Sequence, residues 1–498
     1  MHAMVGGRAP FDFRCGWLFV PLLIPFLTGG VVVGDEALLL KAAYGLDQSG
    51  LGFAEYVRSP DGWYISHHVL WFALIYATAH VTMFLGASPL VTQAVISCQS
   101  VLAGLTSIVL CFTFLLRRQG MDTARGLFVV LGFFAAGYGV FTFCMAGVVE
   151  SYMVFIMAGR LFLTELSADA RNVRRLAILD ALLVALKAYS LIFLVITWPL
   201  LSFSRKSRTT YALYFGALLS VLIVLKLWLW NPVLAAAVGN ISPSESLGNF
   251  IEQLFSPWTG LLFCLPALLV LFWSAKTQRR AVAYKLIGIC GCAAFFSLYS
   301  FFNGDLAGGR YIFPFAVALI PEIAAAASRF LDRYRRAAWL LPITVLAFLP
   351  VAGLGFPFFP DRAIPARGPC RPDHPVVYSW KIVVSKILSR QEVEICFHWQ
   401  SYMLSARDVA SPHLAPWRVA YILKGGHSLA YRAIAHDRDQ QQHDAWGISL
   451  AARLRSLGLG NAWLWTALGM LPAILALSLS LWAAMRISGP TVLIPDRA

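Results

Sequence analysis

The sequence predicts an all-α polytopic membrane protein, and three observations carry that expectation. First, 59% of the 498 residues are hydrophobic, only 13% are charged, and mean hydropathy is +0.68. A soluble domain is about half apolar and a quarter charged. Second, apolar runs begin near residues 15, 69, 90, 126, 149, 176, 210, 259, 283, 312, 337 and 462. A spanning helix needs about 20 such residues, so the expectation is about 11–13 spans. Third, the basic residues sit in short clusters between these runs: Arg117-Arg118, Arg171 to Arg175, Arg205 to Arg208, Lys276 to Arg280 and Arg329 to Arg336.

That last distribution follows the positive-inside rule. The formal net charge of +15 therefore reports topology and contact with anionic membrane lipids. It is not a single basic face, which excludes nucleic acid as a partner.

The elements follow in order. The run from Gly16 to Val33 is longer than a signal-peptide core and lacks a clear cleavage site, so it reads as a retained first helix. "ALLLKAAYGLDQSGLGFAEY" then spaces apolar residues as an amphipathic helix lying on the bilayer would. The run 176–203 is long for one helix and short for a hairpin, with basic clusters at both ends. It either dips in and returns with Lys187 near the turn, or crosses once and violates the charge rule. Placing 276–280 and 329–336 inside puts 231–258, 303–311 and 359–460 outside, and the last span returns the tail to the cytoplasm.

The chain thus divides into a transmembrane part, 1–358, an extracytoplasmic domain, 359–460, and a last helix with its tail, 461–498. The outer stretch is long enough to fold as a small α+β domain. "EVEICFHWQ" and "RVAYILKGG" read as its strands, while "SWKIVVSKIL" fits a helix or a strand. Of nine cysteines, Cys370 and Cys396 fall in this stretch. There an oxidising compartment permits a disulfide, and two unpaired thiols remain the alternative.

Chemistry-bearing residues stand out against the apolar background. Asp35 and Glu36 close the first run, in "VVVGDEALLL". A carboxylate at that depth is costly unless it faces water or a cavity. "SPDGWYISHHVLWFAL" places His67 and His68 before the second span, able to hydrogen-bond a sugar or to meet a phosphate or metal. Tandem spacing alone is no metal signature. Glu150 interrupts "FCMAGVVESYMVF", either as a buried functional acid or as a solvated helix end. Lys187 is a lone cation in "LVALKAYSLIF". In "NGDLAGGRYIFP", Arg310 and Tyr311 follow glycines. That guanidinium suits a phosphate, or else snorkels to the interface. With Asp305, these residues gather on one face. Cations there hold a phosphate, and a carboxylate deprotonates a hydroxyl.

The order of these motifs resembles the polytopic glycosyltransferases that use polyprenyl-phosphate sugars, the GT-C superfamily. Its bacterial members include relatives of protein mannosyltransferases and the enzymes that modify lipid A with aminoarabinose or galacturonic acid. The similarity runs over roughly residues 15–330. It comprises Gly34-Asp35-Glu36 after the first span, His67-His68 before the second, Glu150, Lys187 with Tyr189, "SPWTGLLFCLP" at 256–266, and Gly308-Gly309-Arg310-Tyr311 to Pro314.

The resemblance implies sugar transfer from a polyprenyl-phosphate donor to an envelope glycan, lipid or protein, at the outer face of the bacterial inner membrane, with inversion. Asp35 would be the general base. Glu36, Glu150, His67 and His68 would orient sugar or acceptor, and Lys187 and Arg310, beside Tyr311, would hold the donor phosphate. The sequence names no certain cofactor and leaves a divalent cation open. A transporter or flippase of a lipid-linked glycan would use a similar cavity without chemistry. It would favour pseudo-symmetric halves with broken helices, and none is evident in the sequence.

Overall fold

The computed structural model describes residues 35–59, 62, 65, 66, 68–87, 89–135, 149–165, 170–201, 203–230, 243–255, 261–298, 311–353, 363–366, 394–397 and 462–489. It is an all-α bundle. Its helices are α1 (Asp35–Ser49), α2 (Phe53–Arg58), α3 (Val69–Phe84), α4 (Pro89–Arg117), α5 (Thr123–Phe134), α6 (Val149–Glu165), α7 (Ala170–Leu186) and α8 (Ser190–Thr197). They continue as α9 (Arg205–Trp228), α10 (Pro243–Phe255), α11 (Leu261–Cys264), α12 (Lys276–Ser297), α13 (Phe313–Ala316), α14 (Ile320–Arg333), α15 (Leu340–Gly353) and α16 (Ala462–Ser488).

Four described segments are by themselves long and apolar enough to cross a bilayer: Cys98–Arg117, Arg205–Trp228, Lys276–Ser297 and Phe313–Arg333. Shorter apolar helices cover Val69–Phe84, Thr123–Phe134, Ser190–Leu200 and Ile474–Ser488. The protein is thus a polytopic helical membrane protein. Along α9, Leu213, Val221, Ile223, Val224 and Leu227 are exposed, as side chains facing lipid are.

One end of the bundle collects the basic clusters. Asp122 caps α5 by accepting from the Arg125 amide at 2.9 Å. Arg125 Nη2 in turn donates to Asp332 Oδ1 at 2.6 Å, at the end of α14. Ser488 Oγ, ending α16, donates to the Arg335 carbonyl at 3.2 Å. The loop after α4, the end of α14 and the end of α16 therefore share one side, as the charge pattern predicts for the cytoplasmic face.

The two readings of 176–203 are distinguished by packing. α7 stops at Leu186, a turn covers Lys187–Tyr189, and α8 begins at Ser190. The Tyr211 hydroxyl donates to Asp180 on the first arm at 2.6 Å. Its ring lies 4.8 Å from Trp198 and 5.6 Å from Phe203 beyond the second arm. Both arms thus reach the same level of α9, and the segment is a hairpin with Lys187 at its apex. The returning arm lies against α12 because α12 carries glycines there. A Cβ at Gly288 would come 2.8 Å from Phe193, and one at Gly291 would come 2.9 Å from Ile192.

Helix α1 packs its apolar residues on protein. Leu39, Leu40, Ala42, Ala43, Tyr44 and Leu46 are all buried. The Tyr44 hydroxyl donates to Thr92 at 3.2 Å, and the Tyr76 hydroxyl donates to Asp47 at 2.8 Å. The apolar residues that suggested lipid contact are covered by α3 and α4 instead. α3 and α4 form their own hairpin through Gly86 (φ 71°), with Thr82 and Thr92 hydroxyls 2.6 Å apart.

In the stretch 359–460, two short strands are described. β1 (Ala363–Ala366) pairs antiparallel with β2 (Glu394–Phe397), Ile364 opposite Cys396. β2 falls within the expected strand 392–400. The remainder, with Cys370 and the segments 379–388 and 418–426, lies outside the described residues, as does the first run Gly16 to Val33.

Candidate functional site

The hairpin apex is the structural centre of the site. Lys187 is buried, and its Nζ sits 5.6 Å from the centroid of the Tyr311 ring, a cation–π contact. Tyr189, two residues on, donates from its hydroxyl to the Tyr311 carbonyl at 3.0 Å. The Tyr311 ring stacks on Phe296 at 4.9 Å, and Phe296 meets Tyr189 edge-on at 4.1 Å. Cys292 Sγ points at the Tyr189 carbonyl, 3.6 Å away. An aromatic wall from α12 thus fixes the apex against the segment that begins at Tyr311.

A second cation in an apolar run, Lys226, lies in the last turn of α9. The Arg174 guanidinium lies 5.2 Å from the Tyr214 ring and the Tyr211 hydroxyl donates to Asp180, so α7 and α9 pack side by side.

Glu150 opens α6 and is buried, not solvated. Its neighbour Ser151 accepts a hydrogen bond from Ser100 at 3.0 Å, which sets the register of α6 on α4. His68 precedes α3, is 1% exposed, and meets the Trp71 ring edge-on at 5.4 Å. Its carbonyl accepts from the Phe72 amide at 2.7 Å. Arg58 donates from Nη2 to the Trp228 carbonyl at 2.6 Å, two residues beyond Lys226. There a cleft of about 730 Å³ is lined by Phe53, Glu55, Arg58, Ser59 and Trp228.

Of the residues singled out in the sequence, Lys187 and Tyr311 are in contact. His68 and Glu150 are buried. Asp35 and Glu36 begin α1, but their side chains lie outside the described residues, as do His67, Asp305 and Arg310. No group of three or more His, Cys, Asp or Glu gathers as a metal site among the described residues.

Sequence reasoning missed Lys226, although "VLKLWLW" carries the same signal as Lys187, one cation in an apolar run. It also missed a buried network nearer the basic face. Arg160 Nε donates to Asp180 Oδ1 at 2.8 Å, opposite the Tyr211 hydroxyl on Oδ2. Close by, Lys285 Nζ donates to Glu322 Oε1 and Oε2 at 2.5 and 2.7 Å, and to the Ala318 carbonyl at 2.7 Å. Arg160 and Lys285 also feel each other's charge. These pairs bind α6 to α7 and α9, and α12 to α14, beneath the hairpin apex.

Fold and site together define a polytopic helical membrane protein with a buried cation, Lys187, and a buried acid, Glu150. Two solved structures are similar to it. Against ArnT from Cupriavidus metallidurans in the apo state, identity is 13% over 96% of this chain and 78% of that chain, with a TM-score of 0.47. Against the same protein bound to undecaprenyl phosphate, identity is 13% over 95% and 77%, with a TM-score of 0.43. No protein-family model and no curated protein matches the chain.

Proposed function

We propose that this protein is a membrane glycosyltransferase of the GT-C type that takes a sugar from a polyprenyl-phosphate donor. The observation that carries the reading is Lys187, buried at the apex of the 176–203 hairpin against the Tyr311 ring. An ionisable residue held inside a membrane bundle marks a substrate or ion site by default. A lipid-borne phosphate is an anion that can reach it from the bilayer.

Lys187 and Lys226, with Arg310 adjoining Tyr311, hold the phosphate. The acceptor hydroxyl oxygen attacks the anomeric carbon from the opposite face, and the bond from that carbon to the phosphate oxygen breaks. The phosphate departs on its polyprenol with the bonding electrons, and Asp35 takes the hydroxyl proton. The anomeric centre inverts. The cations stabilise charge that grows on the leaving phosphate, so they act on the transition state more than on the bound donor. Glu36, Glu150, His67 and His68 orient sugar and acceptor. The acceptor is an envelope glycan, lipid or protein, and the reaction faces away from the cytoplasm of a bacterial inner membrane.

The test uses purified protein with radiolabelled polyprenyl-phosphate sugars and an envelope extract as acceptor. Label should pass to the acceptor and release polyprenyl phosphate. Lys187→Met/Lys226→Met should abolish this while the protein stays folded. Movement of intact lipid-linked sugar across proteoliposomes with no release of polyprenyl phosphate would overturn the reading in favour of a flippase.

A further inference from the structure

The basic end of the bundle carries a cleft outside the proposed chemistry. A cleft of about 740 Å³ is lined by Trp273, Phe330, Arg333, Tyr334, Arg335 and Arg336, with Asp332 and Ala337 completing the wall. Its floor is a run of rings: Trp273 on Phe330 at 4.6 Å, and Phe330 on Tyr334 at 5.6 Å. Arg333 places its guanidinium 5.4 Å from the Tyr334 ring.

The walls are tied. Arg329 donates from Nε to the Trp273 carbonyl at 2.9 Å and from Nη2 to Gln278 at 2.7 Å, joining the segment after α11 to α14. On the other side, the Arg335 carbonyl accepts from Ser488 of α16.

Among the described residues Asp332 is the one acid lining the cleft, and its carboxylate is held by Arg125 at 2.6 Å. Arg333, Arg335 and Arg336 line the same cleft. Apolar surface continues from it in both directions. Phe272 is 82% exposed beside Trp273, and Leu340 and Ile343 are 53% and 62% exposed just beyond the Arg335–Trp339 turn. Cations over aromatic rings, beside exposed apolar side chains, form the arrangement found where headgroups meet acyl chains.

We propose that this cleft binds the phosphate headgroup of an anionic membrane phospholipid. Arg333, Arg335 and Arg336 take the phosphate, the Trp273–Phe330–Tyr334 rings receive the glycerol region, and the acyl chains lie along Phe272, Leu340 and Ile343. Arginine suits the role because its planar fork pairs with phosphate oxygens two at a time. The bound lipid bridges the segment after α11, α14 and α15 at the cytoplasmic face.

The test is native mass spectrometry of the full-length protein in detergent, with phosphatidylglycerol or phosphatidylcholine added at equal concentration. The parent should retain phosphatidylglycerol selectively. Arg333→Gln/Arg335→Gln/Arg336→Gln should weaken that binding roughly fivefold per lost cation, on the order of 100-fold in all. Arg205→Gln/Lys206→Gln/Arg208→Gln, which strips the basic start of α9, should leave it intact. Should the glutamine variant fail to fold, Arg333→Lys/Arg335→Lys/Arg336→Lys keeps the charge and should bind the lipid with reduced affinity, since a lysine makes one-point contacts. Equal retention of both lipids by the parent, equal losses in the two glutamine variants, or full competition by millimolar inorganic phosphate would each overturn the proposal. None of these outcomes depends on glycosyl transfer.

Discussion

Asp180→Ala is the perturbation whose cost the structure defines most closely. Asp180 is fully buried, and one oxygen accepts from Arg160 at 2.8 Å while the other accepts from Tyr211 at 2.6 Å. The Arg160 side chain is 8% exposed, and its Nη2 has no hydrogen-bond partner. Removing the carboxylate therefore leaves a desolvated guanidinium whose Nε has lost its acceptor. Breaking a buried pair in this way costs about 3–5 kcal/mol. The Tyr211 hydroxyl also loses a charged acceptor, worth about 1.5–3 kcal/mol in isolation. The two losses share one group and do not add, so about 4–5 kcal/mol is expected in total.

Replacing the whole network by Arg160→Met/Asp180→Leu/Tyr211→Phe removes the orphaned charge along with its partner. That variant should lie within about 2 kcal/mol of the parent, because apolar replacements of a buried ion pair are often neutral. The assay is reversible unfolding in mixed micelles, followed by far-ultraviolet circular dichroism, as a double-mutant cycle on Arg160 and Asp180. A coupling energy of at least about 2 kcal/mol is expected. Coupling below about 0.5 kcal/mol would show that the two charges do not interact in the folded state, and would refute the network.

Further outcomes follow from other parts of the molecule. Gly288→Val should destabilise by about 1–3 kcal/mol through overpacking, since its Cβ would press on Phe193. Melting temperature checks it, and Gly216→Val on α9, where nothing lies within 4 Å, should leave it nearly unchanged. Asp35→Asn should lower glycosyl transfer by the 10²–10⁴ range of general-base loss with donor binding retained, and Glu36→Gln should do less. Turnover by the Asp35→Asn protein near the parent rate would remove Asp35 from catalysis. Single cysteines at Gln48, Leu306 and Ala420 should all react with an impermeant thiol reagent in whole cells. Protection of one alone would break the expected topology.

Much of the helical framework was legible in the chain because membrane insertion is governed by local composition. Apolar runs starting near 69, 90, 149, 210 and 283 became α3, α4, α6, α9 and α12, since a backbone in lipid satisfies its hydrogen bonds only within the helix. Basic clusters marked which ends share a side, and Arg125–Asp332 and Ser488–Arg335 agree with them. Single ionisable residues in apolar runs singled out Lys187 and Glu150, and both are buried in the bundle.

The pairings were decided by tertiary structure alone. Whether 176–203 turns back could not be read from its length, and the answer lies in Tyr211 touching both arms at once. The burial of α1 was equally hidden, because apolar residues at helical spacing pack as well on protein as on lipid. Arg160 meets Asp180 and Lys285 meets Glu322 across separations of 20 and 37 residues. Each meeting is set by the relative height of two helices, and no helix encodes the height of another. That register is fixed by interlocking small groups such as Ser100 with Ser151, and Gly288 beneath Phe193. A one-turn slip there would shift an ionic group by about 5.4 Å, so the site depends on packing that exists only when all the helices are assembled.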